Sequence, residues 1–435
     1  MSGASVGEGI APGRNTFGRA RRWSGILAVF FSAQSSVQLL GVLAGLLFVN
    51  FLPLEQFALY TLANSILAFT TFASDLGSSG SLVYFYRATA SEPEGFAAMI
   101  AAVRSLRRDA FLVGALATAV ALPWVAHRRG LPYLPATLCA AGVIVGVWFQ
   151  IRSSLGLLAL RLHGAYGRAY RAEIAGGLLR LTLASLVVGL GLRVAWLAVL
   201  SGACATALVA LLVRDGSNDF RSANIRRDRR RVIRYLLPSL PSALYFSIQT
   251  PLVVWLSATF GSTRTIAEVG AIGRLGLLVG IFGGLTGVVF LPRLARIIDE
   301  THYRRRFFQF GAVLVALGGL LFLAAAVVPD LFLALLGPRY RGLQSELLLV
   351  VAGAWISLVS GYLVSVNLSR AWNRWETLAV IVLFVSQVAL VAVLDMGSTH
   401  GVLVFGLLSA TVGALLQASI LAIGFRRPAW VSWNP

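Results

Sequence analysis

Apolar stretches of roughly the 20 residues that a helix needs to cross a bilayer recur along nearly the whole chain. The first runs from about Ser24 to Phe51, and the short turn Leu52-Pro53-Leu54-Glu55-Gln56 sends a second back to about Gly77. Four segments follow at 109–126, 133–160 and, as a tight hairpin, 172–192 and 194–213. After one long polar interval the plan repeats at 235–260, 266–291, 307–328, 343–369, 375–394 and 401–424. The pattern predicts an all-α polytopic membrane protein of about 12 transmembrane helices in two pseudo-symmetric six-helix bundles. They span 24–213 and 235–424, with a tail at 1–23, a linker at 214–234 and a tail at 425–435. No small-residue cleavage site follows the first apolar run, so no removable signal peptide is expected.

The polar interval fixes the orientation. Arg214–Arg234 holds eight arginines against three aspartates, a composition that cannot sit in hydrocarbon and reads as a solvated linker. Arginine-rich loops beside spans stay cytosolic. With the linker there, 28 of the 37 arginines are cytosolic, six lie outside and three fall within spans. Both termini are then expected in the cytosol of a bacterial cell, with the protein in its inner membrane. Composition agrees, at 57% hydrophobic and 12% charged residues. The net charge of +20 follows the membrane faces, so anionic membrane lipids are the expected partner of the linker, not nucleic acid.

Several chemistries are excluded. The chain has no lysine, so it carries no lysine-type phosphate loop. His127, His163, His302 and His400 lack ligand spacing, and Cys139 and Cys204 lie in apolar spans, so no metal, disulfide or cofactor is expected. The outer loops are short, with the acids Glu55, Asp330 and Asp395, which argues against a membrane glycosyltransferase or polymerase. No enzyme activity is expected.

The halves carry traces of a repeat. Glu55-Gln56-Phe57-Ala58-Leu59-Tyr60 opens span two and Ala267-Glu268-Val269-Gly270-Ala271-Ile272 opens span eight, while Gln38 and Gln249 sit inside spans one and seven. Such spacing points to parallel repeats about an axis along the membrane normal. These residues also carry a resemblance. The run Gln34–Gly45, Leu54–Tyr60, Asp75–Val83, Leu291–Ala295 and Leu335-Leu336-Gly337-Pro338-Arg339-Tyr340 resemble the polysaccharide-biosynthesis export proteins. These are the O-antigen and exopolysaccharide flippases of the multidrug/oligosaccharidyl-lipid/polysaccharide exporter superfamily. The resemblance implies two bundles in a V around a central cavity. It further implies movement of an undecaprenyl-diphosphate-linked oligosaccharide between leaflets, with a polysaccharide polymerase and other assembly proteins as partners. Many relatives carry an acid in span seven, where this chain has Gln249-Thr250-Pro251. A multidrug exporter of the same superfamily is the rival reading.

Ionisable groups inside a membrane are costly and mark functional sites by default. Here the deep ones are Arg152, Arg180 and Arg274, with no acid at comparable depth, a set suited to an anion such as a diphosphate. Arg152 and Arg180 lie about 12–14 Å from a cytosolic end, so either faces a lumen or snorkels. Arg274 is the deepest and the strongest candidate. Internal amides, Gln34, Gln38, Asn64, Gln249, Asn367 and Gln387, either bond sugar hydroxyls or tie helices together. Glycine pairs Gly41/Gly45, Gly142/Gly146 and Gly276/Gly280 point to close helix packing, and Pro238, Pro241 and Pro251 to bending.

Overall fold

A computed structural model describes residues 35–79, 82, 85, 93–213, 225–237, 240–286, 290–294, 297, 299–370, 372 and 375–426. Both predicted tails, apart from Phe425 and Arg426, lie outside the described residues, as do Gln34, Arg214–Asn224 and Pro238. The described chain is helical throughout. In the first half the helices are α1 (Ser35–Phe51), α2 (Leu54–Asp75), α3 (Pro93–Arg128), α4 (Tyr133–Leu162), α5 (Tyr166–Gly189) and α6 (Ala195–Leu212). Helix α7 (Ile225–Leu236) belongs to the linker. The second half has α8 (Leu240–Phe260), α9 (Thr263–Gly280), α10 (Glu300–Val327), the short α11 (Pro329–Leu336), α12 (Gln344–Ser369), α13 (Glu376–Val393) and α14 (Thr399–Arg426).

Ten of these are long and apolar enough to cross a membrane. The bent α8 makes an eleventh, and α1 is a shorter apolar helix lying within the first predicted span, so ten or eleven of the expected twelve are found among the described residues. The bend in α8 is 59° at Pro251, where proline removes a backbone donor and crowds the preceding turn. Within each half the same pairings recur. The fourth span packs on the sixth (α4 on α6, α12 on α14) and the second on the fourth (α2 on α4, α9 on α12).

Local chemistry sets the helix ends. Ser262 and Thr265 cap α9 reciprocally, each side chain accepting from the other's backbone N–H at 3.2 Å. Asp299 caps α10 by accepting from the His302 N–H at 2.8 Å, which holds its carboxyl below the usual carboxylate range. Where the halves touch, Gly270 of α9 meets α2 so closely that a Cβ there would stand 2.3 Å from Thr61 Oγ1.

Helix α3 begins at Pro93, well before the apolar run expected from 109, and carries Arg107 buried at 1% exposure. Its guanidinium bonds Asp75 and donates to Ser78 (2.7 Å), Ser79 (2.9 Å) and Ser154 (3.0 Å), so α2, α3 and α4 share one buried charge pair. One sequence expectation is corrected: the linker is not wholly solvated chain. Helix α7 turns Val232 and Leu236 onto Phe96, Met99, Ile100 and Val103 of α3 while Arg226, Arg227, Arg230, Arg231 and Arg234 remain exposed. Burying two such side chains is worth about 1.5–3 kcal/mol each. The half-exposed Arg229–Asp109 pair beside them, at 2.7 Å, adds at most about 1 kcal/mol. The apolar face therefore holds α7 in place.

Candidate functional site

Arginines 180 and 274 come together; Arg152 does not join them. Arg274 follows Thr263 by 11 residues, about 16 Å along α9 and so near the middle of a bilayer. Its shaft crosses from the second half to the first, over Gly45 of α1. A Cβ at Gly45 would stand 3.2 Å from Arg274 Cδ, so the missing side chain is the passage for the arginine. The Arg274 guanidinium carbon lies 5.4 Å from the centre of the Tyr60 ring on α2. Arg180 reaches the same residue from α5, donating to Tyr60 Oη at 3.3 Å. Tyr60 is fully buried, braced by the rings of Phe48 at 5.2 Å and Phe57 at 6.0 Å.

Two guanidinium groups from opposite halves thus converge on one tyrosine. No ion pair of either arginine with an acid is found among the described residues. The buried Nε of each has no hydrogen-bond partner. Cation–π contact and a single phenol bond offset only part of the cost of two such charges at membrane depth. What remains is unfilled donor capacity, of the kind that an anion with several oxygens would satisfy. Asn64 lies one turn along α2 and donates to its own helix at Tyr60 O (2.7 Å). Gln38 is half-buried on the face of α1 that carries Gly45, two turns away.

The other candidates lie elsewhere. Arg152 is exposed, 5.4 Å over the Trp148 ring, in a pocket of about 210 Å³ shared with Arg104 and Arg108. Arg108 is 20 residues before the far end of α3, about 30 Å, which puts this pocket at the boundary of the membrane core on the linker side. Gln249 pairs reciprocally with Gln387 of α13, at 2.7 and 3.1 Å, and Tyr245 Oη donates to the same amide at 2.9 Å. Asn367 donates to Gln417 Oε1 at 2.9 Å. These amides tie helices of the second half together. They also line or adjoin a cavity of about 560 Å³ among α8, α12, α13 and α14, whose acid is Glu376, with Gln417 Nε2 at 3.3 Å.

At the end of the molecule opposite α7, the halves are joined through backbone carbonyls. Arg129 donates to Ala258 O (2.5 Å) and Thr259 O in the last turn of α8 and to Gly261 O (2.6 Å) just past it, carbonyls that a helix end leaves free. Arg339 donates to Leu52 O at 3.0 Å, and Asn50 Nδ2 to Leu335 O at 2.8 Å. Gly337, at φ +96°, brings the backbone against Asn50, with a Cβ position 2.5 Å from Asn50 Oδ1. Tyr340 packs beneath, and burial pushes its phenol up to about 12. Sequence reading missed both Tyr60 and this latch. Arg129 and Arg339 read as loop charges, and nothing in local sequence shows which carbonyls they reach.

No family model matches the sequence, and no curated protein matches it. Solved structures do. The lipid II flippase MurJ, in an inward closed conformation, matches with a TM-score of 0.70 at 14% identity, over 91% of this chain and 87% of that one. An inward-facing multidrug resistance MATE family transporter of the MOP superfamily matches at 0.59 and 20% identity, over 90% and 96%. A MATE in complex with MaD3S matches at 0.55 and 17% identity, over 91% and 94%. These likenesses show the fold alone: the chain shares the all-helical, two-bundle architecture of these structures.

Proposed function

We propose that the chain is a flippase for a polyprenyl-diphosphate-linked oligosaccharide, serving surface or exopolysaccharide synthesis in the bacterial inner membrane. The observation that carries this reading is the meeting of Arg180 and Arg274 on Tyr60, one from each half, without a carboxylate. A diphosphate would satisfy both guanidinium groups with bidentate, charge-assisted bonds. The sugars would occupy the space between the halves and the polyprenyl chain would stay in lipid. Because the two arginines belong to opposite halves, relative motion of the halves makes or breaks the anion site, as alternating access requires. The linker and both termini are taken as cytosolic, so the latched end faces outward.

Loss of the gene should abolish surface polysaccharide and leave lipid-linked units inside the cell. Arg274→Gln and Arg180→Gln should insert at normal levels yet fail to restore export. Arg274→Lys should restore it only in part, keeping charge but losing the fork. Full export by both glutamine variants would overturn the reading. The rival, an exporter of small cationic molecules, is favoured by Glu376 facing the amide-lined cavity of the second half. It predicts the converse: intact polysaccharide in the deletion strain, and raised dye accumulation that Glu376→Gln fails to reverse.

A further inference from the structure

A further void lies on the other side of α2 from the arginines. It is a lateral slot of about 290 Å³ between α2, α3 and α8, and so has walls from both halves. Along one side it is lined by Gly114, Ala117, Thr118, Ala121 and Val125 of α3, a stripe at helical spacing, and elsewhere by Phe69 of α2 and Trp255 of α8, whose rings meet edge to face at 5.0 Å. The polar groups in its walls are already satisfied by the protein. Thr70 and Thr118 bond each other at 3.1 Å, Thr259 bonds Trp255 O at 2.8 Å, and Trp255 Nε1 donates to Ser65 at 3.2 Å. What the slot offers a ligand is therefore hydrocarbon surface.

The mouth is different. The α3 stripe continues one turn past Val125 to Arg128, which is exposed and stacked 4.3 Å over the ring of the exposed Trp124. An arginine and a tryptophan at the end of a span mark the headgroup level. Lipid-facing Val113, Leu116 and Val120 border the stripe, so the slot opens onto the acyl chains of the leaflet at the latched end. A cation at headgroup height, directly above an apolar slot open to the bilayer, matches one amphiphile in both parts.

We infer that the slot is a binding site for a glycerophospholipid with an anionic head, one acyl chain lying between α2, α3 and α8 and the phosphate at Arg128. The chain wedges the seam between the halves directly beneath the Arg129 bonds to Ala258 and Thr259, two residues that also line the slot. The lipid therefore belongs to the latched arrangement and would be expelled, or withdraw its chain, when α8 parts from α3.

The test uses the full chain in nanodiscs of phosphatidylcholine and phosphatidylglycerol, with a trace of phosphatidylglycerol carrying a diazirine on its acyl chain. Photolabelling should concentrate on peptides bearing Gly114–Val125 and Trp255–Thr259, well above the lipid-facing helix around Val385. Ala117→Trp, which fills the slot, should drop that labelling to the level at Val385. Arg128→Gln removes an exposed side chain from no buried contact and should fold normally. It should keep labelling by the phosphatidylcholine analogue while losing the preference for the anionic lipid. If Ala117→Trp fails to fold, the Arg128→Gln comparison carries the test alone. Equal labelling of the slot and the Val385 helix would mean ordinary boundary lipid and overturn the site. Displacement of the label by a polyprenyl diphosphate at equal concentration would overturn the phospholipid assignment and give the slot to an isoprenoid tail.

Discussion

Arginine plays two opposite parts in this protein, and the difference lies in what surrounds the guanidinium. Arg107 is buried among Asp75 and three serines, its charge balanced and its donors occupied. Arg274 is stretched over a glycine toward a tyrosine ring, its charge unbalanced and its Nε unbonded. Removing one partner of a buried pair leaves an uncompensated charge, typically at about 3–5 kcal/mol. Asp75→Asn should therefore lower the melting temperature and the yield of folded protein, whereas Arg274→Gln should not lower either. At Gly45 the neighbour is the flexible Arg274 shaft, so Gly45→Ala should be tolerated with a small adjustment. Gly45→Leu should insert and fold but lose export, because it evicts the arginine. Export unaffected by the leucine would show that the Arg274 position is not needed. The two arginines of the candidate site were legible in the sequence as charges at membrane depth without acids. Tyr60 was not, because contact between α2, α5 and α9 depends on inter-helix register, which local periodicity does not encode.

At the scale of elements, the spans were readable because bilayer thickness fixes their length, and ten of the helices fall where hydropathy places them. The linker helix was not, since its twelve residues are dominated by arginine and its two key apolar positions, Val232 and Leu236, lie one turn apart within charged text. If α7 is held by that apolar face, Val232→Glu should release it. The arginine-rich linker should then be cut by trypsin faster than in the parent, with the spans unaffected. Arg229→Gln, which removes only the half-exposed pair with Asp109, should leave the cleavage rate nearly unchanged. The same reasoning applies to Gly270, where no side chain fits against Thr61. Gly270→Val overpacks a helix crossing, typically at about 1–3 kcal/mol, and should reduce thermal stability. A melting scan in detergent checks it.

For the molecule as a whole, the halves are fastened at one end by arginine-to-carbonyl bonds. Arg129 and Arg339 each join a cation of one half to the helix terminus or turn of the other, and the neutral Asn50 amide adds a bond to Leu335 O. Arg129→Gln combined with Arg339→Gln should favour the arrangement open at that end. In a background lacking Cys139 and Cys204, a cysteine at Asn64 should then react with an impermeant thiol reagent applied from the latched side. Unchanged reactivity would show that the latch does not govern access. Orientation is tested separately by cysteines at Ser217 and Ser398, expected to label from opposite faces of intact cells.

On the proposed function, the unbalanced pair of charges would also make the protein an electrical device. An elementary charge moved through the full membrane potential changes energy by about 2.3 kcal/mol per 100 mV. On that reading, Arg180 and Arg274 would sit in that field as positive charge whenever no anion is bound, and an empty carrier would be pulled toward the negative face. A bound diphosphate would cancel the charge, and the loaded carrier would cross without feeling the voltage. Collapsing the potential with an ionophore should then slow the return of the empty carrier while leaving a single loaded crossing unchanged. In proteoliposomes this should appear as multiple-turnover flipping that depends on voltage and a first turnover that does not.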